Sequence, residues 1–289
     1  MNNGVVDPDD AIIVNQGNAN ILVRYGDRKS RLDRCCVRFR SLEQNNTYTL
    51  KNLQFVKNCV VPLLGDYLVA VTRFQRSVLD LRNLLTEFKV DVDSQKVEVL
   101  EMENLTYDMD SVVRVDHFTK FHRCKISEHC ETIVWEFKPK WMTEKGENCR
   151  NCSLNCFKGR NIPYCYNMVL ERPSILRKWL AAFDVPSQFF DDMELYFSGP
   201  DNVLATIYGA QSKLVDFVSP PGELTGENDV SEKLALLMTL RDVTCFLRWD
   251  PASGISAKIV DVDLKPKSKW KQWKDQQDVL DASHVRVCH

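Results

Sequence analysis

The chain has no run of 18 apolar residues, so nothing in it reads as a membrane span. It has no excess of either charge: 38 Lys and Arg stand against 40 Asp and Glu, a net charge of −2. That excludes the broad positive field of a general nucleic-acid binder and confines any basic site to a local patch. The opening "MNNGVVDPDD" is polar and acidic and reads as neither a signal nor a transit peptide. A chain that is not secreted, acting in the nucleus or cytoplasm, is the expectation. Histidine is scarce, with five residues at 117, 122, 129, 284 and 289, outside any recognisable motif. No Ser–His–Asp or Cys–His hydrolase arrangement stands out. There is no internal repeat and no low-complexity segment.

What is present begins with enough apolar residue, 44% of 289, to build one large domain or two modest ones. Eleven cysteines, an odd and scattered number, read as mainly reduced thiols. Asn45, Asn104 and Asn151 then match the glycosylation pattern by chance.

Residues 11–40 read as strands. Two apolar runs flank a turn at Gly17, Asn18, Ala19 and Asn20, and "RCCVRFR" alternates with Arg34, Cys36, Arg38 and Arg40 on one face. Residues 52–64 and 70–88 read as helices, 96–106 and 131–140 as strands. Further helices are expected near 172–184 and 200–216, and a flexible loop at 222–229. At the end of the chain, "RDVTCFLRW" alternates, "DPASG" is turn chemistry, and "ISAKIVDVDL" alternates again. A hairpin centred near residue 252 puts Asp242 opposite Val262. Asp261 and Asp263 then share a strand face, about 6.5–7 Å apart. A one-residue change of register decides whether Asp242 joins that face.

Five constellations carry possible chemistry. Three aspartates beside lysines suit a Mg²⁺–phosphate site, because Mg²⁺ is held by one or two carboxylates plus phosphate oxygens. A remaining carboxylate can accept a hydroxyl proton; solvated charges at a hairpin end are the plainer reading. A helix after Leu264 would align Lys265, Lys269 and Trp273 at i, i+4 and i+8, as an anion-binding face or a solvated basic one. In "EFKPK", Glu136, Lys138 and Lys140 fall on one side of an extended segment that Pro139 stiffens, either to meet phosphates or as the polar face of an edge strand. The turn at Gly17 is a nucleotide-phosphate loop or an ordinary hairpin, with Arg38 as a strand cation behind it. "CRNCSLNC" and Cys165 give Cys149, Cys152, Cys156 and Cys165, a C-x2-C knuckle followed by an irregular C-x8-C; Cys149, Cys152 and Cys165 can be zinc ligands or the cysteines can be free thiols. His122, His129 and Cys130 are all open as a fourth ligand.

Together, "GNANILVRYG", "RCCVRF", "NLT", "EFKPKW", "CRNC", "RDVTCF" and "DVDLKPKSKW" resemble the inositol-pentakisphosphate 2-kinase family, in its short fungal branch. The resemblance runs from about residue 16 to 273. It implies an α/β (α+β) fold of two lobes, distantly related to protein kinases, split here as 1–106 and 107–289. It implies transfer of the ATP γ-phosphate to the 2-hydroxyl of inositol 1,3,4,5,6-pentakisphosphate, giving the hexakisphosphate, by a monomer that needs ATP and Mg²⁺ and acts on neither nucleic acid nor membrane. By that resemblance Asp242 is the base. Asp261, with Asp263, holds Mg²⁺. Gly17, Asn18, Ala19, Asn20, Arg38, Glu103 and Asn104 face ATP, and Lys138, Lys140, Asn167, Asn202, Arg241, Lys265 and Lys269 bind the inositol phosphate. Lys269, Trp273 and Asn167 depart from the usual arginine, tyrosine and histidine, and the cysteines do not match the zinc site of the plant enzymes. Two other classes remain: a zinc-containing polyanion-binding module, and a pseudokinase scaffold without turnover.

Overall fold

The computed structural model describes residues 11–26, 28–127, 130–144, 149–162, 164–181, 183–283, 285 and 288. The chain divides into two compact units, Met1–Asn58 with Val69–Met109, and Cys59–Leu68 with Asp110–His289. The architecture is α+β, with a five-stranded antiparallel sheet in each unit.

In the first unit the sheet order is β1 (Ala11–Gln16), β2 (Asn20–Tyr25), β3 (Arg31–Cys36), β5 (Lys96–Glu103) and β4 (Val71–Ser77). Strand β2 shows the period of two that a sheet with one buried face requires: Ile21, Val23 and Tyr25 are buried and the residues between them are not. Two helices accompany the sheet, α1 (Leu42–Phe55) and α3 (Val78–Glu87). The helix expected over 52–64 is present, as the end of α1, a π-helical turn at Val56–Val60 and the short helix Val61–Leu64, but α1 begins earlier, at Leu42. Its buried face carries Asn45, Asn46, Thr49 and Asn52 rather than an apolar stripe. Asn46 bonds the backbone of Lys96 and Glu98, and Asn45 that of Phe39. Polar side chains do the docking, and a search for apolar periodicity passes over them. Residues 70–88 are likewise half strand: β4 is an edge strand held by cross-strand charge, with Arg73 bidentate on Glu98 at 2.7 Å. Ser77 then caps α3 through the Leu79 N–H.

In the second unit the sheet order is β10 (Gly254–Val260), β9 (Thr244–Asp250), β8 (Cys130–Phe137), β7 (Thr119–Ser127) and β6 (Ser111–Arg114). Its helices are α2 (Val61–Leu64), α4 (Arg150–Phe157), α5 (Tyr166–Glu171), α6 (Ile175–Leu180), α7 (Ser187–Ser198), α8 (Val203–Val215), α9 (Glu232–Leu240) and α10 (Trp270–Ser283). Trp135, Phe137, Phe121, Phe189 and Trp249 form an aromatic centre; the Phe137 ring lies 4.7 Å from both Trp135 and Tyr166. The expected alternation in β9 holds, with Val243, Cys245, Leu247 and Trp249 all buried. The segment 222–229 is more anchored than its glycines suggest. Leu224 is fully buried, and one Asp229 carboxylate oxygen accepts from Thr225 N–H, Thr225 Oγ1 and Gly226 N–H.

Candidate active site

The hairpin of β9 and β10 is centred on Ala252, pairing Asp250 with Gly254 and Thr244 with Val260. Continued in that register, Asp242 stands opposite Val262, as the sequence predicts, but the ladder stops at Val260. Asp261 has φ 63°, in the left-handed region that costs an L-residue energy. Asp261 and Asp263 therefore do not share a strand face. Among the described residues the three aspartates do not form a set of donors within reach of one ion. The carboxylates of Asp242 and Asp261 each meet lysine instead.

Lys138 and Lys140 follow directly on β8. Lys138 Nζ donates to Asp261 at 3.0 Å. Lys140 Nζ donates to one Asp242 oxygen, and Lys265 Nζ donates to the other at 2.6 Å. Lys140 also has a left-handed φ, 61°, so the extended reading of "EFKPK" fails at its last residue. Glu136 is not part of the group; its carboxylate is taken by Lys120 at 2.7 Å and His122 at 2.9 Å. Lys265 precedes any helix: the chain runs through a 3₁₀ turn, Lys267–Lys269, before α10 starts at Trp270. The expected helical face of Lys265, Lys269 and Trp273 is thus absent, because Pro266 interrupts it. Lys269 sits in the 3₁₀ turn, and Trp273 is buried among Trp141, Leu234 and Met238.

Two buried polar side chains fix these segments, and sequence reasoning missed both. Gln211 on α8 is fully buried. Its amide NH₂ donates to Lys140 O at 2.8 Å and Leu240 O at 3.1 Å, and its oxygen accepts from Met142 N–H at 2.9 Å. Thr239 on α9, also fully buried, donates to Asp263 O at 2.9 Å and accepts from Lys265 N–H at 3.3 Å. The "KPK" segment, the end of α9 that precedes Asp242, and the Asp263–Lys265 segment are tied together by these two side chains. One signal was available: a glutamine in the otherwise apolar-faced run "NVLATIYGAQSKLV".

The electrostatics of the group are uneven. Burial alone would raise the Asp242 carboxyl, but the charges of Lys140 and Lys265 outweigh it and hold Asp242 well below the usual range. Burial is the largest influence on Lys140 and lowers it, with Lys138 and Lys265 adding repulsion that Asp242 only partly offsets. Burial also acts against Lys265, but Asp242, Asp261 and Asp263 together raise it. One carboxylate thus shares two lysines with opposite shifts, because Lys265 has three acidic neighbours.

The remaining predicted residues fall elsewhere. Asn202 is the N-cap of α8: it accepts from Ala205 N–H at 2.9 Å and donates to Phe197 O and Gly199 O. Asn167 is buried and donates to Trp141 O, Glu144 O and Cys149 Sγ. Arg241 is 4% exposed and lies 3.5 Å over the Trp141 ring, with Arg150 also at that ring, 4.1 Å from its centroid. Gly17, Asn18, Ala19, Asn20, Arg38, Glu103 and Asn104 belong to the first unit. Gly17 N–H donates to Asn20 O at 2.9 Å, closing the turn. Arg38 is not a strand residue: β3 ends at Cys36, and Arg38 lies exposed over the Phe39 and Tyr48 rings. Glu103 ends β5, and Asn104 bonds Lys29 O and receives Thr106 N–H. Cys149, Cys152 and Cys165 do come together, and Cys288 joins them. His122 is committed to Glu136, while His129 and the side chain of Cys130 lie outside the described residues.

Comparison with known proteins decides the family. The family model described as inositol-pentakisphosphate 2-kinase matches residues 14–199. The inositol-pentakisphosphate 2-kinase of Saccharomyces cerevisiae is 37% identical over 274 residues, 94% of this chain and 96% of that protein. The chain belongs to the inositol-pentakisphosphate 2-kinase family. Members bearing that name in Candida glabrata and Eremothecium gossypii are 36% identical over 285 residues and 35% over 282, each covering 96% of this chain. The matches to these two span 100% and 99% of the relatives.

Proposed function

We propose that this chain is an enzyme that transfers the γ-phosphate of ATP to the 2-hydroxyl of inositol 1,3,4,5,6-pentakisphosphate, giving the hexakisphosphate. The observation that carries the reading is Asp242, held ionised between Lys140 and Lys265 on segments that Gln211 and Thr239 lock together. Five phosphomonoesters carry roughly −8 to −10 charge at about −1.5 to −2 each. Such a substrate competes with the aspartates for the lysines. As phosphate oxygens take Lys138, Lys140 and Lys265, Asp242 loses its partners and becomes more basic, in the place where the hydroxyl is presented. Its carboxylate then accepts the hydroxyl proton as the oxygen attacks phosphorus. Because phosphoryl transfer asks mainly for alignment and charge stabilisation, a rigid lysine frame with one base meets the need.

Asp261 and Asp263 offer hard oxygen donors of the kind Mg²⁺ takes, and Asp261 is 44% exposed at its side chain, open to such an ion. They would hold Mg²⁺, which neutralises charge on the nucleotide phosphates. Gly17 to Asn20, Arg38, Glu103 and Asn104 are assigned to ATP, and a distant kinship with protein kinases belongs to the same reading. So do action as a monomer and a place in the nucleus or cytoplasm. The test is incubation with ATP, Mg²⁺ and the pentakisphosphate, followed by separation of inositol phosphates. Hexakisphosphate formed in step with ADP supports the proposal; binding of the pentakisphosphate without product would mean a polyanion-binding scaffold.

A further inference from the structure

The four cysteines form a cluster that the phosphoryl chemistry does not use. Cys149 and Cys152 come from the start of α4, Cys165 from the residue before α5, and Cys288 from the segment after α10, 136 residues beyond Cys152. All four sulfurs lie within 4.8 Å of one another. Cys149 and Cys165 are 3.5 Å apart, Cys152 and Cys288 3.9 Å. A disulfide requires about 2.05 Å, so these contacts are far too long for one. A tetrahedral zinc with Zn–S bonds of about 2.3 Å puts its sulfurs about 3.8 Å apart, and the measured pairs bracket that edge. Cys149, Cys152 and Cys165 are buried, with Met168 and Trp179 packed around them, so bulk water is kept from the group. Asn167 donates to Cys149 Sγ from outside the group, the kind of outer contact that orients a metal-bound thiolate.

We infer that Cys149, Cys152, Cys165 and Cys288 bind one zinc ion as a closed four-thiolate site. Each thiol gives up its proton to solvent as the metal binds. With four protein ligands there is no open position for a substrate, so the role is structural. It fastens the C-terminal segment to α4 and α5. The same C-x2-C knuckle lies just beyond the "KPK" lysines in the chain, and α10, which leads to Cys288, follows Lys265. Zinc would thereby brace the helices that flank the phosphate-binding lysines.

The test uses the purified full-length chain made without a metal-binding tag. Elemental analysis after gel filtration should find about one zinc per chain, released when a mercurial reagent modifies the thiols. Replacement of zinc by Co²⁺ should give the charge-transfer and visible bands of a tetrahedral sulfur site, a readout that needs no variant to fold. Cys288→Ser should weaken zinc retention and alter the cobalt bands, whereas Cys156→Ser, at an exposed cysteine outside the group, should change neither. A zinc-poor protein whose four thiols all react freely, a mass showing disulfides among them, or zinc binding indifferent to Cys288 would each overturn the inference.

Discussion

The partner charges decide the shifts of Asp242 and Lys265, whereas burial decides that of Lys140. Asp242 is lowered, so in the free protein it stays ionised throughout the neutral range, and an acid limb in kcat/KM would come from some other group. Lys140 is lowered and Lys265 raised, which separates two lysines that share one carboxylate. The sign follows for each. A raised lysine contributes stability that is complete below its unfolded pKa, about 10.4, and is lost only as pH climbs through its higher folded value. A lowered lysine gives up its proton earlier and cedes its hold on anions first. NMR titration of ¹³C-methylated lysines, assigned with Lys→Arg variants, should show Lys140 titrating below the exposed lysines and Lys265 above them. The reverse order would mean that the ion-pair geometry is wrong. Backbone strain points to the same residues. Among the described residues, Lys89, Lys140 and Asp261 are the non-glycine positions with positive φ, and two of the three carry site charges. Asp261→Gly removes a left-handed cost of roughly 1–2 kcal/mol and adds about 0.5–1 kcal/mol of chain entropy. The melting temperature should hold or rise slightly while turnover collapses. A clear drop in melting temperature would make Asp261 a fold residue.

The elements that place the site are a strand end, a helix end and a proline-stiffened segment, and their alignment depends on side chains with no charge. Gln211 satisfies three backbone groups from two segments, and leaving a buried polar group unpaired costs about 1–3 kcal/mol. Gln211→Leu should lower stability by at least that much and lower kcat further than Leu214→Ala, a core change on the same helix, at matched loss of stability. Equal kcat in the two variants would confine Gln211 to folding. Strands were the legible elements. Alternation identified β9, and the turn chemistry placed the hairpin near residue 252; the register itself stays open in the sequence, and the pairing of Asp250 with Gly254 fixes it. Helices were less legible where their buried faces are polar, as in α1, or where a strand runs directly into a helix, as from β4 to α3.

At the scale of the molecule, the second unit alone holds the lysine–aspartate group and the cysteine cluster. The residues assigned to ATP lie in the first. The sequence displayed which residue types would converge: Asp242, Lys138, Lys140, Asp261 and Lys265 were all readable from three motifs, "EFKPK", "RDVTCF" and "DVDLKP". It did not display how they pair. The left-handed turns at Lys140 and Asp261 re-aim both side chains, and no periodicity anticipates such turns. Nor could spacing find Cys288 as the companion of Cys149, since a ligand brought in by tertiary folding carries no local signal.

The central claim is that Asp242 is the base for attack by the inositol hydroxyl, held in place by the lysines that the substrate takes over. Asp242→Asn keeps the shape and removes the basicity. Steady-state kinetics with the pentakisphosphate and ATP, paired with calorimetric binding of the pentakisphosphate to the same variant, tests it directly. The account predicts that kcat falls by roughly 10²–10⁴, while the pentakisphosphate binds at least as tightly as to the unaltered chain, because Lys140 and Lys265 no longer have a competing carboxylate. A variant that retains most of its kcat, or that loses pentakisphosphate binding in proportion to its rate, would contradict it.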